Sequence, residues 1–130
     1  MKKIIFWILT IGLLAFIFGN SLLPASGSTA VSDRFLWFGL SSHFVRKTAH
    51  FLEFALLGGL FAIDFSWKRA RVPLAGVALA VLLAACADET LQLFADGRAS
   101  MLADVWLDFC GGLVGLGVLA FCKKRFSFFD

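Results

Sequence analysis

The chain has 130 residues, 60% of them hydrophobic and 16% charged, with a formal net charge of +3. Soluble domains are about half apolar and about a quarter charged, so this composition excludes an ordinary soluble domain. The basic residues gather in short groups, Lys2/Lys3, Lys68/Arg69/Arg71 and Lys123/Lys124/Arg125, which suits loop charges that orient membrane segments and excludes a nucleic-acid surface.

The first element is predicted over residues 3–20, an apolar block behind Lys2 and Lys3. A helix crosses the hydrocarbon core with about 20 residues. The same block has the outline of a signal peptide followed by Pro24-Ala25-Ser26-Gly27, but it is long for such a segment and rich in Phe and Trp, so a retained span is the better reading. The loop after it begins polar and then turns apolar at Phe35, Leu36, Trp37, Phe38 and Leu40. That stretch is too short to span and suits the membrane interface.

The second span is predicted over 48–66, entered through the stretch RKTAHFLEF at 46–54. On a helix, Arg46, His50 and Glu53 stand at i, i+4 and i+7, within an arc of roughly 60°, and Lys47 lies about 100° away. Asp64 continues that stripe about 16 Å further along, and its expected partner is Lys68 at i+4.

The third span, 72–94, ends in ADETLQLF, where Asp88, Glu89 and Gln92 occupy an arc of about 100°. Gly97 then suits a turn, and Arg98 follows it. The fourth span, 102–121, opens with Asp104 and Asp108, which share a face with Gly111 and Gly115. The two glycines form GxxxG, a spacing that lets helices approach closely. The three cysteines, Cys86, Cys110 and Cys122, show no CxxC pair or zinc spacing and read as small apolar side chains.

These continuous apolar blocks predict an all-α fold, a polytopic bundle of four transmembrane helices forming a single domain over 1–130, with a short interfacial segment in the first loop. The basic groups then place both termini in the cytoplasm. With that topology the polar ends of spans two, three and four meet at one depth on the outer side. Ionisable groups inside a membrane face a bundle interior or a water-filled cavity and mark function.

Three blocks carry a resemblance to the VanZ-like family of small bacterial membrane proteins: RKTAHFLEF (46–54), DETLQLFADGR (88–98) and DVWLDFCGGLVG (104–115). Asp108 stands where the family commonly has Asn, and Phe54 where Tyr is frequent. The family takes its name from an accessory protein of teicoplanin resistance, so the resemblance implies an envelope-related membrane protein of four spans.

The residues themselves support an outward-facing pocket for the anionic headgroup of a lipid or glycolipid; the resemblance adds the expectation of a lipid-linked envelope intermediate as ligand and an effect on glycopeptide susceptibility. Arg46, Lys47 and Arg98 would hold a phosphate or carboxylate, arginine through its planar fork of donors. Glu53, Asp88, Gln92, Asp104 and Asp108 would orient the cations and bind polar groups of the ligand. The alternative is an intramembrane hydrolase or transferase with His50 and Glu89 as an acid–base pair. Asp104 and Asp108 are then the candidate ligands for Mg²⁺, although no metal motif is present. A third reading is an ion-paired cluster in a structural or scaffold protein, an expensive design because buried pairs stabilise poorly against apolar packing.

Overall fold

The computed structural model describes residues 2–24, 42–69, 71–98 and 100–126. They form the helices α1 (Lys2–Ser21), α2 (Ser42–Phe65), α3 (Leu74–Gln92) and α4 (Leu102–Phe126). Each is long and apolar enough to cross a membrane, and no strand occurs among the described residues. The all-helical four-span reading is therefore borne out. The apolar stretch at 35–40 lies outside the described residues.

The helix limits follow local chemistry. Pro73 stands at the N-cap of α3, where its missing N–H costs nothing. α2 begins six residues earlier than its apolar run, so Arg46 and Lys47 lie on helix rather than in a loop. α4 runs past its apolar run to carry Lys123, Lys124 and Arg125 in its last turn, where cations favour the negative end of the helix dipole. Gly97 turns the chain between α3 and α4 with φ 73°.

The core is shared by all four helices: Ile17 of α1, Phe54 and Leu57 of α2, Val77, Val81 and Ala85 of α3, and Leu116 of α4. The remaining apolar surface is outward. Ile4, Ile8 and Ile11 of α1, Leu79 and Leu83 of α3, and Val114, Val118 and Phe121 of α4 are exposed at helical spacing. Helices apolar on both faces suit a bundle whose outer face meets lipid.

Close approach centres on α2 and α4. A Cβ on Gly111 would overlap the carbonyl of Phe51, one on Gly115 the carbonyl of Ala55, and one on Gly58 the carbonyl of Gly112. The GxxxG of α4 is thus a crossing in which backbone meets backbone, as its spacing predicts. Gly112 turns toward α3, where an added Cβ would strike Val81. These contacts fix the rotation of α4 against its neighbours and so decide which of its polar groups point inward.

The two ends of the bundle differ. At one end Lys123 Nζ donates to the Ser66 carbonyl at 2.8 Å, capping the loop after α2, and Phe6 packs on Trp67 with ring centroids 5.8 Å apart. Asp64 lies here, but its partner is not Lys68. α2 stops at Phe65 and Lys68 adopts φ 57°, so no helical i, i+4 geometry exists between them. Asp64 Oδ2 instead accepts from Thr10 Oγ1 of α1 at 2.6 Å, and both residues are buried. Thr10→Val, close to isosteric, is expected to destabilise the protein by about 1–2 kcal/mol, because a buried acceptor loses its donor. Unfolding by SDS titration in lipid–detergent micelles reads this directly, and unchanged stability would show the pair contributes nothing.

Candidate functional site

The opposite end of the bundle gathers the ionisable residues. The start of α2, the end of α3 and the start of α4 meet there, and Ser21 closes the group from the end of α1. Because α2 and α4 begin where α3 ends, stripes far apart in sequence share one depth.

Asp88 is the hub. It is 0% exposed. Its Oδ1 accepts from Ser21 Oγ at 2.5 Å and its Oδ2 from Gln92 Nε2 at 3.1 Å. A buried carboxylate needs such donors, since burying it unpaired is costly. Gln92 Nε2 also donates to Glu89 Oε1 at 3.0 Å, and Glu89 Oε2 accepts from the Met101 backbone N–H at 3.0 Å. Glu89 thereby ties α3 to the chain entering α4. Both of its oxygens are engaged, which makes it a residue that positions the turn carrying Arg98.

His50 projects from α2 into the middle of the group. Its Nδ1 is 3.9 Å from Glu53 Oε2, 3.9 Å from Asp88 Oδ2 and 4.0 Å from Asp108 Oδ1. These separations are too long for hydrogen bonds. Asp108 is 1% exposed, and neither of its oxygens has a hydrogen-bond donor among the described residues. Lys47 turns aside to Asp104, Nζ to Oδ1 at 2.7 Å, with both side chains partly exposed.

Above this floor lies a cleft of about 170 Å³ lined by Arg46, Lys47, His50, Glu89, Gln92, Gly97, Arg98, Met101, Asp104, Leu107 and Asp108. A cavity of about 150 Å³ accepts a benzene-sized guest, so this one has room for a phosphate or part of a sugar. Arg98 lines it with Nε buried and no acceptor among the described residues. Burial holds its guanidinium below the ordinary arginine range, and the like charge of Arg46 adds to this against the pull of Asp88 and Glu89.

Every site residue expected from the sequence is at this end of the bundle. Arg46, Lys47, His50, Glu89, Gln92, Arg98, Asp104 and Asp108 line the cleft, and Asp88 and Glu53 reach His50 from below or beside it. Ser21 is the member that sequence reasoning missed. Its only signal was a polar residue at the end of the first apolar block, where it reads equally as the start of a loop. The cysteines stand apart: all three are free, and Cys86 and Cys110 lie on the outer faces.

Four helices of spanning length and apolarity, with ionisable groups packed at one end, define a multi-pass α-helical membrane protein. The chain belongs to the VanZ/LLP1 family, whose model matches residues 6–123, nearly its whole length. No curated protein and no solved structure matches it.

Proposed function

We propose that this is an envelope-associated protein of the bacterial cytoplasmic membrane, with both termini in the cytoplasm, whose polar cleft opens outward and binds the anionic headgroup of a lipid or glycolipid. The observation that carries this reading is Arg98: its buried Nε–H has no acceptor among the described residues, and it lines the cleft together with Arg46. Two guanidiniums lining one cleft favour an anion between them. Arginine binds phosphate or carboxylate through paired N–H donors. The lipid-facing helices beside the cleft leave the acyl chains in the bilayer while the headgroup enters. A lipid-linked wall intermediate as ligand would connect the site to glycopeptide susceptibility, the trait behind the family's name.

The test is thermal unfolding of the purified protein in nanodiscs of zwitterionic lipid, with a polyisoprenyl phosphate, phosphatidylglycerol or cardiolipin added in turn. A ligand at about a hundred times its Kd stabilises the native state by about 2.7 kcal/mol. One anionic lipid is expected to raise the unfolding temperature well above the others. Arg98→Ala is expected to lose about 1.5–3 kcal/mol of that affinity, a weakening of about tenfold to a hundredfold. Equal shifts with every lipid, or a shift that survives Arg98→Ala and Arg46→Ala alike, would refute the headgroup reading.

The orientation has its own test. A cysteine at Arg69 in a background free of Cys86, Cys110 and Cys122 is expected to react with an impermeant maleimide only after the membrane is opened. Labelling of intact cells would invert the topology and turn the cleft toward the cytoplasm.

A further inference from the structure

The floor of the cleft brings together three groups able to bind a metal ion. One ligand atom each from His50 of α2, Asp88 of α3 and Asp108 of α4 lie within 4.8 Å of one another. Two of these groups are left open by the described residues. Asp108 is 1% exposed, and among the described residues neither its carboxylate oxygens nor the buried His50 Nδ1 has a hydrogen-bond partner. An unpaired buried carboxylate is among the costliest groups a fold can hold, more so at membrane depth. Three carboxylates, Glu53, Asp88 and Asp108, surround one imidazole at 3.9–4.0 Å, so even a protonated His50 would hydrogen-bond to none of them in this arrangement.

We propose that His50, Asp88 and Asp108 bind a divalent first-row transition-metal ion, of the zinc or manganese class, with the fourth coordination position open to the cleft. The mixed imidazole–carboxylate set favours such ions over Mg²⁺ or Ca²⁺, which prefer oxygen donors alone. Ligand atoms at about 2.1 Å from a tetrahedral zinc stand about 3.4 Å apart, so each His50–carboxylate pair closes by about half an ångström on loading. The surrounding hydrogen bonds have the form of an outer shell. Ser21 and Gln92 hold the Asp88 carboxylate in place, as groups behind metal ligands do. The ion would place positive charge beside the unpartnered Asp108 carboxylate, in the same cleft that Arg98 lines. A headgroup oxygen would complete its coordination. This deepens the headgroup reading but stands on its own donors.

The experiment uses the full chain in nanodiscs of zwitterionic lipid, stripped with a chelator and free of added anionic lipid. Mn²⁺ is titrated and the free ion followed by electron paramagnetic resonance; Zn²⁺ is measured by elemental analysis after gel filtration. Mg²⁺ serves as competitor. One ion per chain is expected, poorly displaced by Mg²⁺. Asp108→Asn and His50→Gln are each expected to weaken binding by about a hundredfold or more, exceeding the effect usual for outer-shell changes. Asp64→Asn, at the far end of the bundle, is expected to leave it unchanged. No stoichiometric ion on the wild-type protein, or binding indifferent to both His50→Gln and Asp108→Asn, overturns the proposal. Should Asp108→Asn not fold, the wild-type titration and His50→Gln still decide. Arg98→Ala separates the two readings: it is expected to retain the metal while losing the anionic lipid.

Discussion

Gly115→Leu is expected to break the bundle apart at its tightest crossing. A Cβ at this position meets the carbonyl oxygen and carbon of Ala55, and the next atom in reach is the Gly59 backbone nitrogen at 3.0 Å. Backbone does not swing away as a flexible side chain does, so α4 must move from α2 as a unit. Overpacking a core usually costs about 1–3 kcal/mol; here the whole contact between the helices opens, and a loss of more than about 3 kcal/mol is expected. No large apolar surface is squeezed out of water when membrane helices associate, so close packing carries most of the driving force. Gly117→Leu is the control. Nothing lies within 4 Å of a Cβ there, and its side chain would enter lipid. SDS-titrated unfolding should show Gly115→Leu unfolded at SDS fractions where wild type and Gly117→Leu remain folded. Equal stability of all three would mean the crossing is looser than the geometry requires.

The same crossing explains how much of the site was legible. Helical spacing alone put Arg46, His50 and Glu53 on one stripe and Asp104, Asp108, Gly111 and Gly115 on another, because 3.6 residues per turn fixes a face without reference to neighbours. Four apolar blocks of spanning length fixed how many times the chain crosses, and therefore which ends meet. The rotation of one helix against another is a tertiary property. That His50 faces Asp88 and Asp108 rather than Asp104, with Lys47 turned to Asp104, depends on Gly58, Gly111 and Gly115 seating α4 against α2. Asp104 and Asp108, one helical turn apart on α4, part company for that reason: Asp108 lies near His50, and Asp104 pairs with Lys47.

Two polar residues of α1 were invisible for a related reason. Thr10 and Ser21 look like tolerable hydroxyls in an apolar helix, since each can bond to its own backbone. Their partners, Asp64 and Asp88, lie 54 and 67 residues away. Asp64 was assigned to Lys68 because an i, i+4 pair is the nearest local solution. It failed when the helix ended between them.

Asp88→Ala is expected to have the second large effect, because one side chain answers donors from two helices. Its loss strands the Ser21 hydroxyl and one donor of the Gln92 amide and removes one of the carboxylates around His50. Hydrogen bonds to a charged acceptor contribute about 1.5–3 kcal/mol each. In membranes the separated helices find other partners, which lowers such values toward about 1 kcal/mol. The expected loss for the alanine variant is therefore about 2–4 kcal/mol. Asp88→Asn keeps one acceptor oxygen and the volume, and should lose about half as much. Ser21→Ala removes a single donor and should cost about 1 kcal/mol. The double variant Ser21→Ala/Asp88→Ala discriminates best: with the hydroxyl already gone, Asp88→Ala should cost measurably less than in the wild-type background. Strict additivity would mean Ser21 does not hold Asp88, and that α1 packs against the site without contributing to it. A shared loss would make α1 part of the cleft's floor.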